Sequence, residues 1–309
     1  MNGKKWINIW LMTIIIVIAT PLVILEQTNI PLRFSNSISY DAKLNFMRNN
    51  KLLDGTNTIV IGSSMALTNI NGTRLEEGSE KIKKIANLSS WGLQTSEVLQ
   101  LIKLIKLDKI EYIIYPTQYI DFKEYRVKDI DEDEVKSFLN NEFILSPYLN
   151  RLESLVSNIR DYMQYDNKYL NPNKYSYIGF DKTGGIELNF SSEYIDKKRW
   201  NSQKREKYTL EERCFNDLQE LNNIAKSKDI TLIVITTPYR KPILQDNKDV
   251  SYIFNKYVQK LEYISNKQQF IYLNMHEKLN LSDNYFLDRS HTNKKGAISV
   301  SNEILKSVF

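Results

Sequence analysis

The run Ile230-Thr231-Leu232-Ile233-Val234-Ile235-Thr236 constrains the fold more than any other part of the chain. It is uncharged, rich in β-branched residues and too short for a typical helix, so it reads as a strand buried on both faces. Four further runs are strand candidates: Thr58–Ile61, Lys83–Leu88, Glu111–Tyr115 and Gln269–Leu273. Between them lie stretches with helical spacing. Leu93–Leu107 carries Val98, Leu99, Ile102 and Ile105; Leu210–Ser227 carries Cys214, Leu218, Leu221 and Ala225; Val250–Asn266 follows; Asn293–Val308 carries Ala297, Ser301, Ile304 and Val308. Two-faced strands alternating with helices imply a parallel sheet covered on both sides. Right-handed crossovers then predict a three-layer, doubly wound α/β fold of the flavodoxin-like kind, with about five strands. In such folds sites form beyond the carboxyl ends of the strands. Ser64, Gly92 and the pair Thr117-Gln118 each follow a predicted strand and would gather there.

Two regions stand outside the alternation. Trp6–Leu25 is mostly apolar and uncharged. As a helix it would reach roughly 30 Å, about the thickness of a bilayer core. It lacks the small-x-small end of a cleaved signal, and Lys4 and Lys5 precede it. The expectation is a cytoplasmic N-terminus over residues 1–5 and an uncleaved transmembrane anchor over 6–25. An approach segment over 26–57 would lead to an extracellular domain over 58–309. The second region, at about 119–207, is too long for a plain crossover. It is rich in Tyr, Asn and Asp, with Tyr162, Tyr165, Tyr169, Tyr175, Tyr177, Tyr194 and Trp200, and reads as an inserted lobe over the sheet edge.

Composition excludes some classes. The formal charge of +5 comes from interspersed Lys, Arg, Asp and Glu. No basic stripe is present, so no nucleic-acid partner is expected. Cys214 is the single cysteine, which rules out a disulfide scaffold. With one Cys and two His, a closed zinc site is poorly supplied, and neither metal nor cofactor is expected.

The chemistry-bearing residues sit near the two ends of the α/β region. Ile59-Val60-Ile61-Gly62-Ser63-Ser64 reads as a strand breaking into a tight turn that presents a hydroxyl. Asp288-Arg289-Ser290-His291 offers a carboxylate and an imidazole three residues apart. A serine is a poor nucleophile without a base, and a base works best when a third group fixes its tautomer. The spacing therefore suggests Ser63 or Ser64 with His291 and Asp288. The other histidine, His276, reads as a turn or surface residue without a role.

Gly62-Ser63-Ser64, Gly92 and Asp288-Arg289-Ser290-His291, in this order, resemble the SGNH hydrolase superfamily, over Thr58–Tyr119 and Ile230–Phe309. The resemblance implies Ser64 as nucleophile, at the third place of the serine block, with Ser63 as runner-up. It implies His291 as base, Asp288 as its orienting group, and the Ser64 and Gly92 N–H groups as oxyanion donors. The family's asparagine block is missing, since the third strand ends in Tyr115-Pro116-Thr117-Gln118-Tyr119; Gln118 or Thr117 would have to supply that donor. The anchor, the Gly-Ser-Ser variant and the long insert resemble the membrane-anchored branch that acylates teichoic acids and exopolysaccharides. That branch implies an extracytoplasmic O-acyltransferase, a cell-envelope glycan acceptor and an integral membrane acyl-transfer partner. An esterase of the same fold, or a non-catalytic glycan-binding or assembly protein, is the alternative.

Overall fold

The computed structural model describes residues 3–26, 28–157, 159–188 and 209–309. Five strands, β1 Thr58–Val60, β2 Ile85–Asn87, β3 Tyr112–Thr117, β4 Thr231–Thr236 and β5 Ile271–Asn274, form one sheet in the order β2-β1-β3-β4-β5. All pairings are parallel. From β1 the chain crosses to one side for β2, then returns past β1 for β3. The strand order reverses there, and the carboxyl ends of β1 and β3 flank the crevice where such sheets bind ligands.

The sheet forms where the apolar runs predicted it because each strand has two faces to bury. Along β4, Leu232 and Val234 enter one hydrophobic layer and Ile233 and Ile235 the other. The first layer is covered by the helices Ile38–Asn49, Thr95–Leu104, Glu212–Ser227 and Lys248–Gln268, through Leu44, Val98, Leu218 and Leu261. The second is covered by Gly72–Gly78, Met275–Leu279 and Lys294–Val308, through Leu75, Met275, Val300 and Ile304. Helix starts follow the sequence: Asn247 accepts from the Asp249 and Val250 N–H groups at 3.1 Å each, and Asn293 accepts from Gly296 at 3.1 Å.

The long segment after β3 is built into the molecule. Tyr119, Phe122, Val135 and Phe138 belong to the first layer. Further on, Tyr165, Ile178, Ile186 and Leu188 pack with Ile30, Leu67 and Leu287 in a third cluster. Leu67 lies in the short helix Ser64–Thr68, and Leu287 immediately precedes Asp288. The cluster therefore braces both halves of the candidate site. Tyr194, Trp200 and the rest of the expected lobe up to residue 207 lie outside the described residues.

The expected membrane span needs correction. Gly3–Glu26 is one helix, but among the described residues no helix is long and apolar enough to cross a membrane. The exposed apolar side chains described on it run from Trp6 to Ile16.

Lys43 ties the approach region to the sheet. It is fully buried, and burial pushes its ammonium well below the usual lysine range, against the opposing charge of Asp181. Its Nζ donates to the Asn87 carbonyl at 2.9 Å and to the Gly184 carbonyl, and lies 3.8 Å from the Phe180 ring centroid. Lys43→Met keeps the apolar stem and leaves both carbonyls without this donor. We expect urea denaturation to show a loss of about 2–4 kcal/mol. An unchanged midpoint would mean that the tie contributes nothing.

Candidate active site

The chain leaves β1 through Ile61 and Gly62. Gly62 has φ +155°, and a Cβ there would lie 2.8 Å from the Ala66 Cβ and 2.9 Å from the Pro116 carbonyl oxygen. A glycine is needed for the following residues to turn so sharply over the end of β3. The two serines after it have separate uses. Ser63 is the N-cap of Ser64–Thr68, and its hydroxyl donates to Asp121 Oδ2 at 2.9 Å. Ser64 opens the helix, and its Oγ lies 2.9 Å from His291 Nε2.

His291 comes from the loop before the last helix. Its Nδ1 lies 2.7 Å from Asp288 Oδ2, while Asp288 Oδ1 accepts from the Ser290 N–H at 2.8 Å and the His291 N–H at 2.7 Å. This network assigns the proton to Nδ1, leaving Nε2 to accept from Ser64. Burial alone would push the Asp288 carboxyl up. The imidazole charge, its hydrogen bond and the two backbone donors outweigh that and hold it well below the usual carboxylate range. Ser64, His291 and Asp288 are all buried, so a negative charge here acts with little screening.

Two residues that sequence reasoning did not assign complete the arrangement. Asn69, fully buried at the end of the Ser64 helix, donates to the Ser290 carbonyl at 2.9 Å and accepts from the Thr292 N–H at 2.9 Å. It clamps the histidine loop to the serine helix. Tyr175 donates to Asp288 Oδ2 at 2.8 Å, and its hydroxyl also lies 2.8 Å from His291 Nδ1. Trp91 packs on both rings, 5.2 Å from Tyr175 and 5.5 Å from His291 between centroids. The tyrosine-rich composition was a signal for Tyr175, without indicating which tyrosine. Asn69 had none, because a lone polar residue at a helix end resembles an ordinary cap.

The remaining sequence candidates are placed as follows. Gly92 sits in the turn after β2 with φ +73° and open space around its missing Cβ, so conformation alone requires glycine there. Its carbonyl accepts from Arg126 Nη2 at 2.7 Å. Thr117 is fully buried, and its hydroxyl bonds to Tyr257 from the helix layer beside β3. That hydroxyl is turned away from Ser64, because the strand alternation sends Thr117 to the same face as Tyr115. Gln118 is buried at the strand end; its Nε2 donates to Asp121 Oδ1 at 3.3 Å and its Oε1 accepts from Tyr239 at 2.8 Å. His276 is half-buried and accepts from the Tyr239 N–H at 3.3 Å. It positions the loop after β4 and is not a free surface residue.

No family model matches the sequence, and no curated protein matches it. Among solved structures, a presumed acylhydrolase from Bacteroides fragilis is similar at 11% identity. The match covers 85% of this chain and 93% of that one, with a TM-score of 0.43.

Asn69→Ala removes both clamp bonds and leaves the Thr292 N–H without its acceptor. We expect a stability loss of about 2–4 kcal/mol in urea, together with loss of serine reactivity. Full reactivity in a folded variant would show that the clamp is dispensable. Asp121 gives a pH signature. Burial pushes its carboxyl up to about 7, against the hydrogen bonds from Ser63 and Gln118. Between the ordinary value of about 3.9 and that point, the folded state holds a proton that the unfolded state has lost. This contribution to stability is full below about 3.9 and declines as pH rises through the window. Asp121→Asn removes the decline. Its urea midpoint relative to wild type should therefore rise between pH 4 and 7, by the equivalent of a few kcal/mol; a difference constant with pH would refute the assignment.

Proposed function

We propose that the protein is a serine-dependent acyl-transfer enzyme of the SGNH type, working through an acyl-Ser64 intermediate. One observation carries this: Ser64 Oγ, His291 Nε2, His291 Nδ1 and Asp288 Oδ2 form a continuous line of contacts of 2.9 and 2.7 Å, brought together from opposite ends of the α/β region. His291 takes the Ser64 proton as Oγ attacks the acyl carbonyl carbon. The tetrahedral intermediate collapses, and the leaving oxygen departs with that proton. In the second half, His291 takes a proton from the acceptor hydroxyl. That oxygen attacks the acyl-serine carbonyl, and Ser64 is released reprotonated. Asp288 keeps the imidazole in the required tautomer and stabilises its protonated form. The engagement of Ser63 with Asp121 favours Ser64 as nucleophile.

In this proposal the physiological acceptor is a sugar hydroxyl of a cell-envelope polysaccharide, and the acyl group, acetyl in the simplest case, comes from an integral membrane acyl-transfer protein. The burial of Ser64 and His291, with Trp91 packed on the His291 and Tyr175 rings, supports transfer to the extent that an acceptor bound there excludes water. Hydrolysis is the same reaction with water as acceptor. An extracytoplasmic site belongs to the same proposal, and cell fractionation tests it.

A fluorophosphonate probe should label wild-type protein on Ser64 by mass spectrometry. Labelling should persist in Ser63→Ala and vanish in Ser64→Ala. Turnover of an aryl acetate should fall by about 10⁴-fold or more in His291→Ala and by about 10⁴-fold in Asp288→Asn. Labelling on Ser63, or none on a folded protein, would overturn the proposal. Transfer predicts that an added oligosaccharide acceptor becomes acetylated, and hydrolysis alone predicts free acetate only.

A further inference from the structure

Tyr175 is where the long segment after β3 meets the Asp288–His291 pair. The turn that carries it is itself tied down. The Tyr177 N–H donates to the Lys174 carbonyl at 3.1 Å, the Ile178 N–H to the Tyr169 carbonyl at 2.8 Å, and Trp91 Nε1 to the Tyr177 carbonyl at 3.2 Å. Ile178 is buried in the third cluster, and Tyr175 packs against the same cluster. The Tyr175 hydroxyl is therefore delivered to the site by a stretch that belongs neither to the sheet nor to the helices that cover it.

The distances fix where that hydroxyl stands. It lies 2.8 Å from His291 Nδ1 and 3.5 Å from Nε2. A group on the Nδ1–H axis would be much farther from Nε2, and a group at these two distances within the ring plane would collide with a ring carbon. The hydroxyl thus stands over the face of the imidazole, at its Nδ1 side, with the two rings 87° apart. Its single proton goes to Asp288 Oδ2 at 2.8 Å, because an ionised carboxylate is the stronger acceptor. Asp288 is then held at both oxygens. Oδ1 accepts from the Ser290 and His291 N–H groups. Among the described residues, Oδ2 otherwise meets only the imidazole that it has to orient. The ring has a matching need. Rotation about its Cβ–Cγ bond would carry Nε2 away from Ser64 Oγ, and a hydroxyl standing over its face obstructs that rotation.

We propose that Tyr175 is a positioning residue for catalysis: its hydroxyl locks the Asp288 carboxylate and the His291 ring in the alignment that keeps Nε2 on Ser64. The proposal rests on the acyl-serine reading and adds a second-segment requirement to it, since the sheet and its covering helices bring the serine and the base together while the segment after β3 holds the base still. Misplacing a reacting group by about 1 Å costs on the order of 100-fold in rate. The hydroxyl acts through Asp288 and His291, so its loss falls on the chemical step and not on substrate affinity.

The test uses the full-length protein and Tyr175→Phe, which keeps the ring that packs on Trp91 and removes only the hydroxyl. With phenyl acetate, kcat should fall by about 10- to 100-fold while KM stays within about twofold of wild type. A kcat within about twofold of wild type overturns the proposal. So does a loss confined to KM, which would mean that the hydroxyl touches substrate instead. If Tyr175→Phe does not fold, Tyr175→Met, which fills the space without a donor, gives the same readings. A second measurement needs no turnover. The chain has two histidines, so a protein labelled at its histidine nitrogens gives two imidazole signals, and His276→Gln identifies the one that is not His291. The His291 Nδ1 proton resonance, one line in wild type, should broaden or split in Tyr175→Phe as the ring gains orientations. That change, together with no serine labelling by fluorophosphonate in wild type, would keep the positioning role and sink the acyl-serine reading. Serine labelling at equal rates in wild type and Tyr175→Phe, with an unaltered resonance, would do the reverse.

Discussion

Two buried hydrogen bonds from one amide, Asn69, hold this molecule in the geometry that everything else requires. Ser64 and His291 are 227 positions apart, and the sheet brings their elements only into the same neighbourhood. A donor–acceptor contact of 2.9 Å needs a finer constraint. Asn69 follows Ser64 by five residues and grips the histidine loop on both sides of His291, through the Ser290 carbonyl and the Thr292 N–H. Its side chain must donate and accept at once, and a carboxylate cannot donate. Leu67 and Leu287, in one cluster with residues of the long segment after β3, press the same two elements together from the apolar side.

The layers of the fold were legible because burying both faces of a parallel strand leaves an unbroken apolar run, and all five runs became strands. Their ends were less legible. β3 runs on through Pro116 to Thr117, pairing with Ile235 and Thr236 of β4. A proline cannot donate to the ladder and is unusual in a central strand, and the expected strand ended at Tyr115. The helix Ser64–Thr68 is too short to show a period. The contacts that matter most, Asn69 to the histidine loop and Tyr175 to Asp288, span 221, 223 and 113 positions. No local pattern encodes such pairs. The N-terminal apolar run shows the opposite limit, where a strong local signal outran the structure.

Asp121 and Asp288 show how environment divides the labour of two buried carboxyls. Around Asp121 the hydrogen-bonding groups are neutral: Ser63, the Gln118 amide and the Gln118 N–H. Desolvation prevails there and the group rises to about 7. Around Asp288 desolvation is outweighed by an imidazole and two backbone donors, and the carboxylate stays ionised. An ionised Asp288 can hold a protonated His291 through the transition state. Asp121 does different work. By accepting the Ser63 hydroxyl it engages that serine away from the imidazole, which on the acyl-transfer reading leaves Ser64 as the nucleophile.

The lost asparagine of the resembled family bears on how the oxyanion would be held. Thr117 is committed to Tyr257 on the far face of its strand, and the Gln118 amide spans Asp121 and Tyr239. Neither hydroxyl nor amide stands free to repeat the missing side-chain role without breaking a buried bond. On the acyl-transfer reading, main-chain N–H groups at Ser64 and Gly92 carry the task. Each such donor is worth roughly 3 kcal/mol when it is fixed before the charge develops. The turn is held just after the Gly92 N–H: the Gly92 carbonyl, in the following peptide unit, accepts from Arg126, Arg126 is paired with Glu97, and Glu97 also accepts from the Gln94 N–H at 2.7 Å. Such a network is suited to a turn whose N–H must already point correctly when a tetrahedral oxygen forms.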